Sequence, residues 1–195
     1  MKRKFFIIGF FSGILFVVVV LVGSFFLIKN QGEKSAAEFA AQQNITNAEL
    51  EVFSIHQESL DSLYFYDLER KANIYISKDS GNFTFINYWG TWCIPCIAEM
   101  PEFVSLMDRD DIKVADIKFI FASQESEEVI HKFEKSRKFG LPYSVYTAES
   151  QPAFVHHSSV PTSYLIDKNK LLVYKFIGLR QWDSEMYRNL LLTLQ

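Results

Sequence analysis

Apolar and polar positions divide the chain into one long apolar stretch near the N-terminus and a series of shorter segments after it. Residues 5–28 contain no charged side chain, and the three basic residues 2–4 precede them. A helix of this length would extend roughly 36 Å, which is enough to cross a hydrocarbon core of about 30 Å. The positive charges favour an N-terminus that stays in the cytoplasm. We therefore predict a cytoplasmic stub and transmembrane anchor over residues 1–28.

A cleaved signal peptide is the alternative interpretation of this segment. The apolar region of such a peptide has about 7–15 residues and ends at a site of small residues. Here the apolar run continues through residues 25–28, beyond Gly23 and Ser24. An uncleaved anchor is therefore favoured. The polar residues 29–48 are predicted to form a tether, and residues 49–195 are enough for one domain with one hydrophobic core.

The pattern beyond the tether predicts strands that alternate with helices. We expect strands over residues 50–55, 63–66, 73–76, 83–89, 117–122, 143–146, 163–166 and 171–177. We expect helices from the cysteine pair to about residue 107, over 123–138 and over 184–194. Gly140 is predicted to cap the second of these helices and Asp183 the third. This order predicts an α/β fold in which a mixed central sheet is flanked by helices.

Charge and residue content narrow the functional classes. The net charge is −3, and it falls to −6 when the three cations of residues 2–4 are set aside. An acidic balance argues against a binding surface for nucleic acid or anionic lipid, so we expect no nucleic-acid partner. No metal and no cofactor are expected, because the four histidines form no second short-spaced ligand pair beside the two cysteines. One ring of His156-His157 could approach the cysteines, although a surface position is favoured.

The candidate chemistry lies in the only two cysteines of the chain, Cys93 and Cys96. They follow a predicted strand and open a predicted helix, so Cys93 lies at the positive end of a helix dipole, where a thiolate is favoured. A bridge that closes so short a loop removes little chain entropy, so a purely structural disulfide would stabilise the fold little. We predict a redox-active dithiol in which Cys93 attacks and Cys96 resolves the mixed disulfide.

Two segments resemble the signature regions of a known family. Residues 86–101 read INYWGTWCIPCIAEMP, and residues 160–167 read VPTSYLID. Both resemble thioredoxin-like, membrane-anchored thiol-disulfide oxidoreductases of the TlpA/ResA type, and the similarity extends over residues 72–194. The resemblance implies a thioredoxin-like fold in which Pro161 is cis and packs across from the dithiol. Val160 would then offer backbone groups to an extended substrate segment.

The resemblance also implies roles for residues around the cysteines. Glu99 falls one helical turn after Cys96, where the family carries an acidic residue that could exchange protons, with a pKa raised by burial. A solvated carboxylate is the alternative. Asn87 occupies the place of the buried aspartate of cytoplasmic thioredoxins, and its amide cannot act as a base. Trp92 is expected to shield the sulfurs and contact the partner, and Pro95 to influence the redox potential.

In function, the resemblance implies an enzyme on the extracytoplasmic (periplasmic) side of the cytoplasmic membrane. It would reduce disulfides in exported proteins such as apocytochrome c, in cytochrome c biogenesis, with electrons from a membrane thiol transporter. A disulfide oxidase or isomerase would use the same chemistry at another potential. A non-enzymatic role also remains open, either as an anchored binding module whose cysteine pair is a static disulfide or as a redox sensor that reports to a partner. Peroxidase activity would need a lone cysteine with a supporting Thr and Arg, which the sequence does not make evident.

Overall fold

The computed structural model describes residues 50–54, 60, 62–76, 83–155, 157–169 and 172–193. The predicted anchor and tether lie outside these residues and stay predictions. Among the helices of the described ranges, none has the length and apolar content needed to span a membrane.

The described strands form one mixed sheet of eight strands. They are β1 (Leu50–Ser54), β2 (Tyr64–Asp67), β3 (Ala72–Tyr75), β4 (Phe83–Tyr88), β5 (Ile117–Ser123), β6 (Tyr143–Val145), β7 (Thr162–Ile166) and β8 (Leu172–Ile177). Their spatial order is β1-β8-β7-β4-β5-β6-β2-β3. β4 runs parallel to β5 and β5 to β6, whereas the other neighbours are antiparallel. The predicted mixed α/β sheet is therefore confirmed.

The described part of the chain also contains four α-helices. They are α1 (Ile94–Asp108), α2 (Asp110–Val114), α3 (Glu127–Arg137) and α4 (Glu185–Thr193). Two short 3-10 turns, Ala148–Ser150 and Ala153–Val155, connect β6 to the segment before β7. α1 begins directly after Cys93, as predicted, and continues through the internal Pro101. The sequence did not predict α2, which has a single buried residue, Ile112.

The central strand β4 is buried along its whole length and packs on both faces. Because side chains alternate along a strand, Phe85 and Asn87 share one face. Phe85 contacts Phe103 of α1 and Trp182, with ring centroids 5.6 and 4.9 Å away, and Trp182 in turn contacts Tyr187 of α4 at 4.8 Å. This aromatic group joins both helices to the sheet and fixes α1 relative to β4.

The opposite face of the sheet has its own buried cluster. Its members come from strands β2, β4, β5 and β7 and from the segments that connect the strands. They are Leu60, Leu63, Phe65, Ile76, Ile86, Tyr88, Ile120, Ala122, Tyr146, Val155, Tyr164 and Ile166. Tyr88 and Tyr164 meet edge to face with their ring centroids 5.7 Å apart. The cluster holds the β2–β3 hairpin and the 3-10 segment against the sheet.

The predicted cap of α3 at Gly140 is wrong. The helix ends at Arg137, and Lys138 adopts the left-handed conformation with φ 58° while its N–H donates to the carbonyl of Glu134. The Glu134 carboxylate then accepts hydrogen bonds from the N–H groups of Phe139 and Gly140. Because this side chain supplies acceptors beyond the last turn, the helix ends three residues before the glycine.

Replacing Lys138 with glycine is expected to stabilise the domain. A side chain in the left-handed region costs free energy that glycine avoids, so we expect the free energy of unfolding to rise by about 0.5–1 kcal/mol in K138G. Urea denaturation measures this difference as a shift of the unfolding midpoint, while the slope of the free energy of unfolding against urea concentration stays unchanged. The matched variant K135G, three residues earlier inside the same helix, is expected to lose about 1 kcal/mol. Destabilisation in both variants would contradict the cap assignment.

The predicted cap of the last helix at Asp183 is also wrong. α4 begins only at Glu185. The Asp183 carboxylate instead accepts hydrogen bonds from Ser105 Oγ at 2.6 Å and from Arg109 Nη1 at 2.9 Å. These partners lie at the end of α1, so Asp183 joins the segment before α4 to the helix that carries the cysteines.

Candidate active site

Cys93 and Cys96 are joined by a disulfide at the start of α1, with their Cα atoms 5.3 Å apart. Cys93 is the N-cap of the helix, and its Sγ accepts a hydrogen bond from the N–H of Cys96 at 3.2 Å. The first N–H groups of a helix have no partner within the helix, and they favour negative charge. On reduction, the Cys93 sulfur therefore lies where a thiolate is stabilised. Both residues are buried.

The loop that leads into the cysteines exposes apolar side chains. The N–H of Cys93 donates to the carbonyl of Gly90 and closes a tight turn after β4. Trp92 is 71% exposed and Ile94 80% exposed. The indole of Trp92 lies over Gly90, where an added Cβ would be only 2.7 Å from its Nε1. Glycine is therefore required for the indole to lie there. The predicted role of Trp92, which is to shield the sulfurs and contact the partner, stays a prediction.

Glu125 fixes this loop, and the sequence interpretation missed it. Thr91 donates its backbone N–H to Glu125 Oε2 at 2.6 Å and its hydroxyl to Glu125 Oε1 at 2.7 Å. Glu125 follows β5, which is the parallel neighbour of β4, so the ends of the two strands meet at one edge of the sheet. The sequence signal that could have identified Glu125 is its position as a polar residue just after the second predicted core strand.

Glu99 is buried, with only 1% of its surface exposed. Its Oε1 accepts hydrogen bonds from the backbone N–H of Arg180 at 2.6 Å and from Trp182 Nε1 at 3.1 Å. Among the described residues, its Oε2 has no hydrogen-bond partner. Burial raises the pKa of Glu99 to about 7, although these donors, the Arg180 charge and the Asn87 amide each lower it. The predicted burial and raised pKa are confirmed, and the solvated alternative is wrong.

Asn87 lies on β4 behind the cysteine helix and is also buried. Its Nδ2 donates a hydrogen bond to Ser163 Oγ at 2.9 Å, across the register pair of β4 and β7. The amide thus links the strand that leads to Cys93 with the strand that follows Pro161. No proton-transfer role follows from it, because a neutral amide does not titrate in the physiological range.

The peptide bond between Val160 and Pro161 is cis, as the resemblance implied. The carbonyl of Pro161 accepts a hydrogen bond from the N–H of Gly178 at 2.8 Å. Val160 and Trp92 line the same cavity, which has a volume of about 470 Å³ and also contains Glu125 and His157 in its wall. The structure therefore brings two of the three predicted substrate-binding residues, Trp92 and Val160, to one cavity, whereas Pro161 does not line it.

Of the two adjacent histidines, His156 lies outside the described residues. His157 is half-buried, and its ring lies against Tyr88 with centroids 4.3 Å apart. Its Nε2 is 3.3 Å from the hydroxyl of Tyr146. The expected surface position is therefore wrong for His157, because aromatic packing draws its ring into the cavity wall. Within the described ranges, no cluster of three or more His, Cys, Asp or Glu residues could hold a metal.

Comparison with known proteins decides the family. The chain matches the AhpC/TSA family over residues 65–190, which is more than half of its length. The chain belongs to the AhpC/TSA family. The matched range begins in β2 and ends in α4, so it includes both the cysteine helix and the cis-proline loop.

Two curated relatives of this AhpC/TSA protein are named as thiol-disulfide oxidoreductases. "Thiol-disulfide oxidoreductase ResA" of Bacillus cereus (strain ZK / E33L) is 34% identical over 112 residues, or 57% of this chain and 64% of the relative. "Sporulation thiol-disulfide oxidoreductase A" of Bacillus subtilis (strain 168) is 26% identical over 116 residues, or 55% of this chain and 70% of the relative. The first match thus spans less than two thirds of the relative's length. The predicted enzyme class agrees with both names.

A solved structure shows the same fold. The crystal structure of StoA from Bacillus subtilis superimposes with a TM-score of 0.52 and 21% identity, over 71% of this chain and 96% of that one. The thioredoxin-like fold predicted for this AhpC/TSA protein is therefore confirmed for the described domain.

Proposed function

We propose that this protein is an anchored thiol-disulfide oxidoreductase that reduces disulfides in exported proteins. The observation that carries the proposal is the Cys93–Cys96 disulfide at the N-terminus of α1, with Cys93 as the helix cap. Such a cap favours the thiolate that attacks disulfides. The names of the curated relatives support the same chemistry.

The reaction is a two-electron exchange in which the protein dithiol is oxidised to a disulfide and a client disulfide is reduced to two thiols. The reduced protein attacks a client disulfide through the Cys93 thiolate, which forms a mixed disulfide and releases one client thiolate. Cys96 then loses its proton and attacks the Cys93 sulfur, which restores the protein disulfide and releases the second client thiolate. Glu99 is proposed to take the Cys96 proton, since a carboxyl with a pKa of about 7 can both accept and return it near neutral pH.

The client is proposed to bind as an extended segment beside the cysteines. The exposed Trp92 and Ile94 offer apolar contact, and Val160 borders the same cavity as Trp92. The predicted anchor over residues 1–28 supports an extracytoplasmic position on the periplasmic side of the membrane. Clients would then be exported proteins such as apocytochrome c, in which the haem-binding cysteines would form the disulfide that is reduced. Electrons to reduce the protein again would come from a membrane thiol transporter.

The local contacts favour disulfide exchange over peroxide reduction. Cys93 is paired with Cys96 rather than alone. The preceding Thr91 gives both its N–H and its hydroxyl to Glu125, so this hydroxyl is engaged away from the sulfur. These contacts support the dithiol mechanism.

The reduction potential of the full-length protein tests the direction of exchange. Equilibration with dithiothreitol or glutathione buffers is expected to give a value below about −220 mV, as for a protein that reduces its clients. A value near or above about −150 mV would assign the oxidase or isomerase alternative instead. A pair that never cycles between the two states would contradict the enzyme and favour the anchored binding module with a static disulfide. The C93S/C96S double variant is the background control.

A further inference from the structure

We propose that Trp182 is a positioning residue for the buried acid beside the dithiol. Its indole N–H, together with the backbone N–H of Arg180, holds Oε1 of Glu99, so that Oε2 is the atom that receives the proton from Cys96. The proposal rests on the proposed function, since it assigns the proton path of that exchange.

The two donors determine which carboxyl oxygen can carry a proton. Both N–H groups point at Oε1 of Glu99, at 2.6 Å from Arg180 and 3.1 Å from Trp182. A carboxylate oxygen has two lone pairs. When both accept a hydrogen bond, no lone pair of that oxygen is left to bind a proton. Among the described residues, no donor meets Oε2 with hydrogen-bond geometry, and the nearby Asn87 amide, which lowers the pKa of this carboxyl, donates to Ser163. Protonation of Glu99 therefore occurs at Oε2.

Packing fixes the orientation of the Trp182 indole. The side chain is almost fully buried and contacts four other rings, with centroids between 4.8 and 5.4 Å away: Phe85, Phe103, Phe176 and Tyr187. Since a ring held on several sides cannot turn its N–H elsewhere, the hydrogen bond to Glu99 is imposed by the core. Trp89 provides the contrast, because its equally buried Nε1 has no partner within the described residues.

The position of Glu99 makes this orientation relevant to the cysteines. Glu99 follows Cys96 by three residues on α1, and side chains at this spacing lie on one face of a helix. The other groups that act on Glu99 are the Arg180 charge, from the loop after β8, and the neutral Asn87 amide of β4. In the exchange, the Cys96 S–H bond breaks, its proton passes to Oε2, and its sulfur bonds to the Cys93 sulfur as the client thiolate leaves.

The first experiment needs no substitution. In the oxidised full-length protein labelled with ¹⁵N, the three tryptophan indole N–H signals are followed from pH 5 to 9. The Trp182 signal is expected to shift with a midpoint near pH 7, in step with Glu99. The Trp89 and Trp92 signals are expected to show no such transition. A Trp182 signal that stays constant while the Glu99 carboxyl carbon titrates would overturn the proposal.

The second experiment removes the donor in W182F. Loss of a hydrogen bond to a charged group is expected to raise the pKa of Glu99 by about one unit, read from its ¹³C carboxyl signal. The pH midpoint of disulfide exchange should rise by the same amount. W89F, which removes the same atoms from a buried indole without a partner, is expected to leave the Glu99 titration unchanged. Equal shifts in both variants would mean that general loosening of the core, and not the donor, acts on Glu99.

The two experiments separate this proposal from the proposed function. A wild-type protein that never exchanges disulfides would refute the function, although the titrations could still be measured in its oxidised form. Normal exchange with an unchanged pH midpoint in W182F would refute only the role of Trp182. In E99Q, the further substitution W182F is expected to have no effect on the pH midpoint, because the carboxyl that it acts on is absent. If W182F does not fold, the indole titration of the unmodified protein decides.

Discussion

Replacing Cys93 with alanine is expected to lower the rate of disulfide exchange by at least about three orders of magnitude. Cys93 caps α1, and its sulfur already accepts the N–H of Cys96, so it is the sulfur that the helix terminus stabilises as a thiolate. Removal of a nucleophile leaves only the weaker contributions of binding and positioning. Reduction of a protein disulfide by the prereduced full-length variant measures the effect.

The equivalent change at Cys96 is expected to give a different product. C96A should still attack through Cys93 but cannot resolve the mixed disulfide, so a covalent complex with the client accumulates and is detected by mass spectrometry. C93A is the matched control and should trap nothing. Trapping by C93A but not by C96A would reverse the two assignments. The same complex identifies the client when C96A is expressed in the native organism.

Replacing Glu99 with glutamine is expected to make stability nearly independent of pH between pH 5 and 8. The folded protein raises the pKa of this carboxyl from 4.5 to about 7 through burial. Between these values the native state binds more protons than the unfolded state, so the wild-type free energy of unfolding falls as pH rises. The shift corresponds to about 3 kcal/mol lost by pH 8. Glutamine keeps an oxygen for the two donors and carries no charge.

Urea denaturation of both proteins at pH 5, 6.5 and 8 measures this difference. E99Q is expected to equal the wild type near pH 5 and to exceed its stability by about 3 kcal/mol at pH 8. E128Q, at an exposed position of α3, is the matched control and should keep the pH dependence of the wild type. Parallel curves for E99Q and the wild type would show that Glu99 ionises without cost, and the proton-transfer role would then lose its basis.

The sequence predicted those elements of the fold and site that are determined by residues close together in the chain. β4, the turn before Cys93 and the start of α1 follow one another within about 20 residues, and their apolar run, glycine and paired cysteines are local signals. The β7–β8 hairpin was likewise predicted within a residue or two of its observed bounds. The α2 helix was missed because its five residues offer only one buried position and no repeated apolar spacing.

The features that could not be predicted join residues far apart in the chain. The donors to Glu99 come from Arg180 and Trp182, which are 81 and 83 residues away. Glu125 reaches Thr91 across 34 residues. The pattern of apolar residues in one sequence predicts which face of a helix or strand is buried. It does not predict which side chains from other elements pack against that face. The polar contacts that tune the site therefore emerge only from the three-dimensional arrangement of the elements.

The hairpin of β2 and β3 leaves a sheet edge that is poorly suited to aggregation. β3 pairs only with β2 in the described sheet, so it forms one edge of that sheet. The strand has only four residues, of which Ala72 and Asn73 are exposed, and the turn before it carries the exposed charges of residues 69–71. Short edges flanked by charge resist edge-to-edge association between copies. At this edge, copies of the domain can be crowded together without their sheets fusing into larger assemblies.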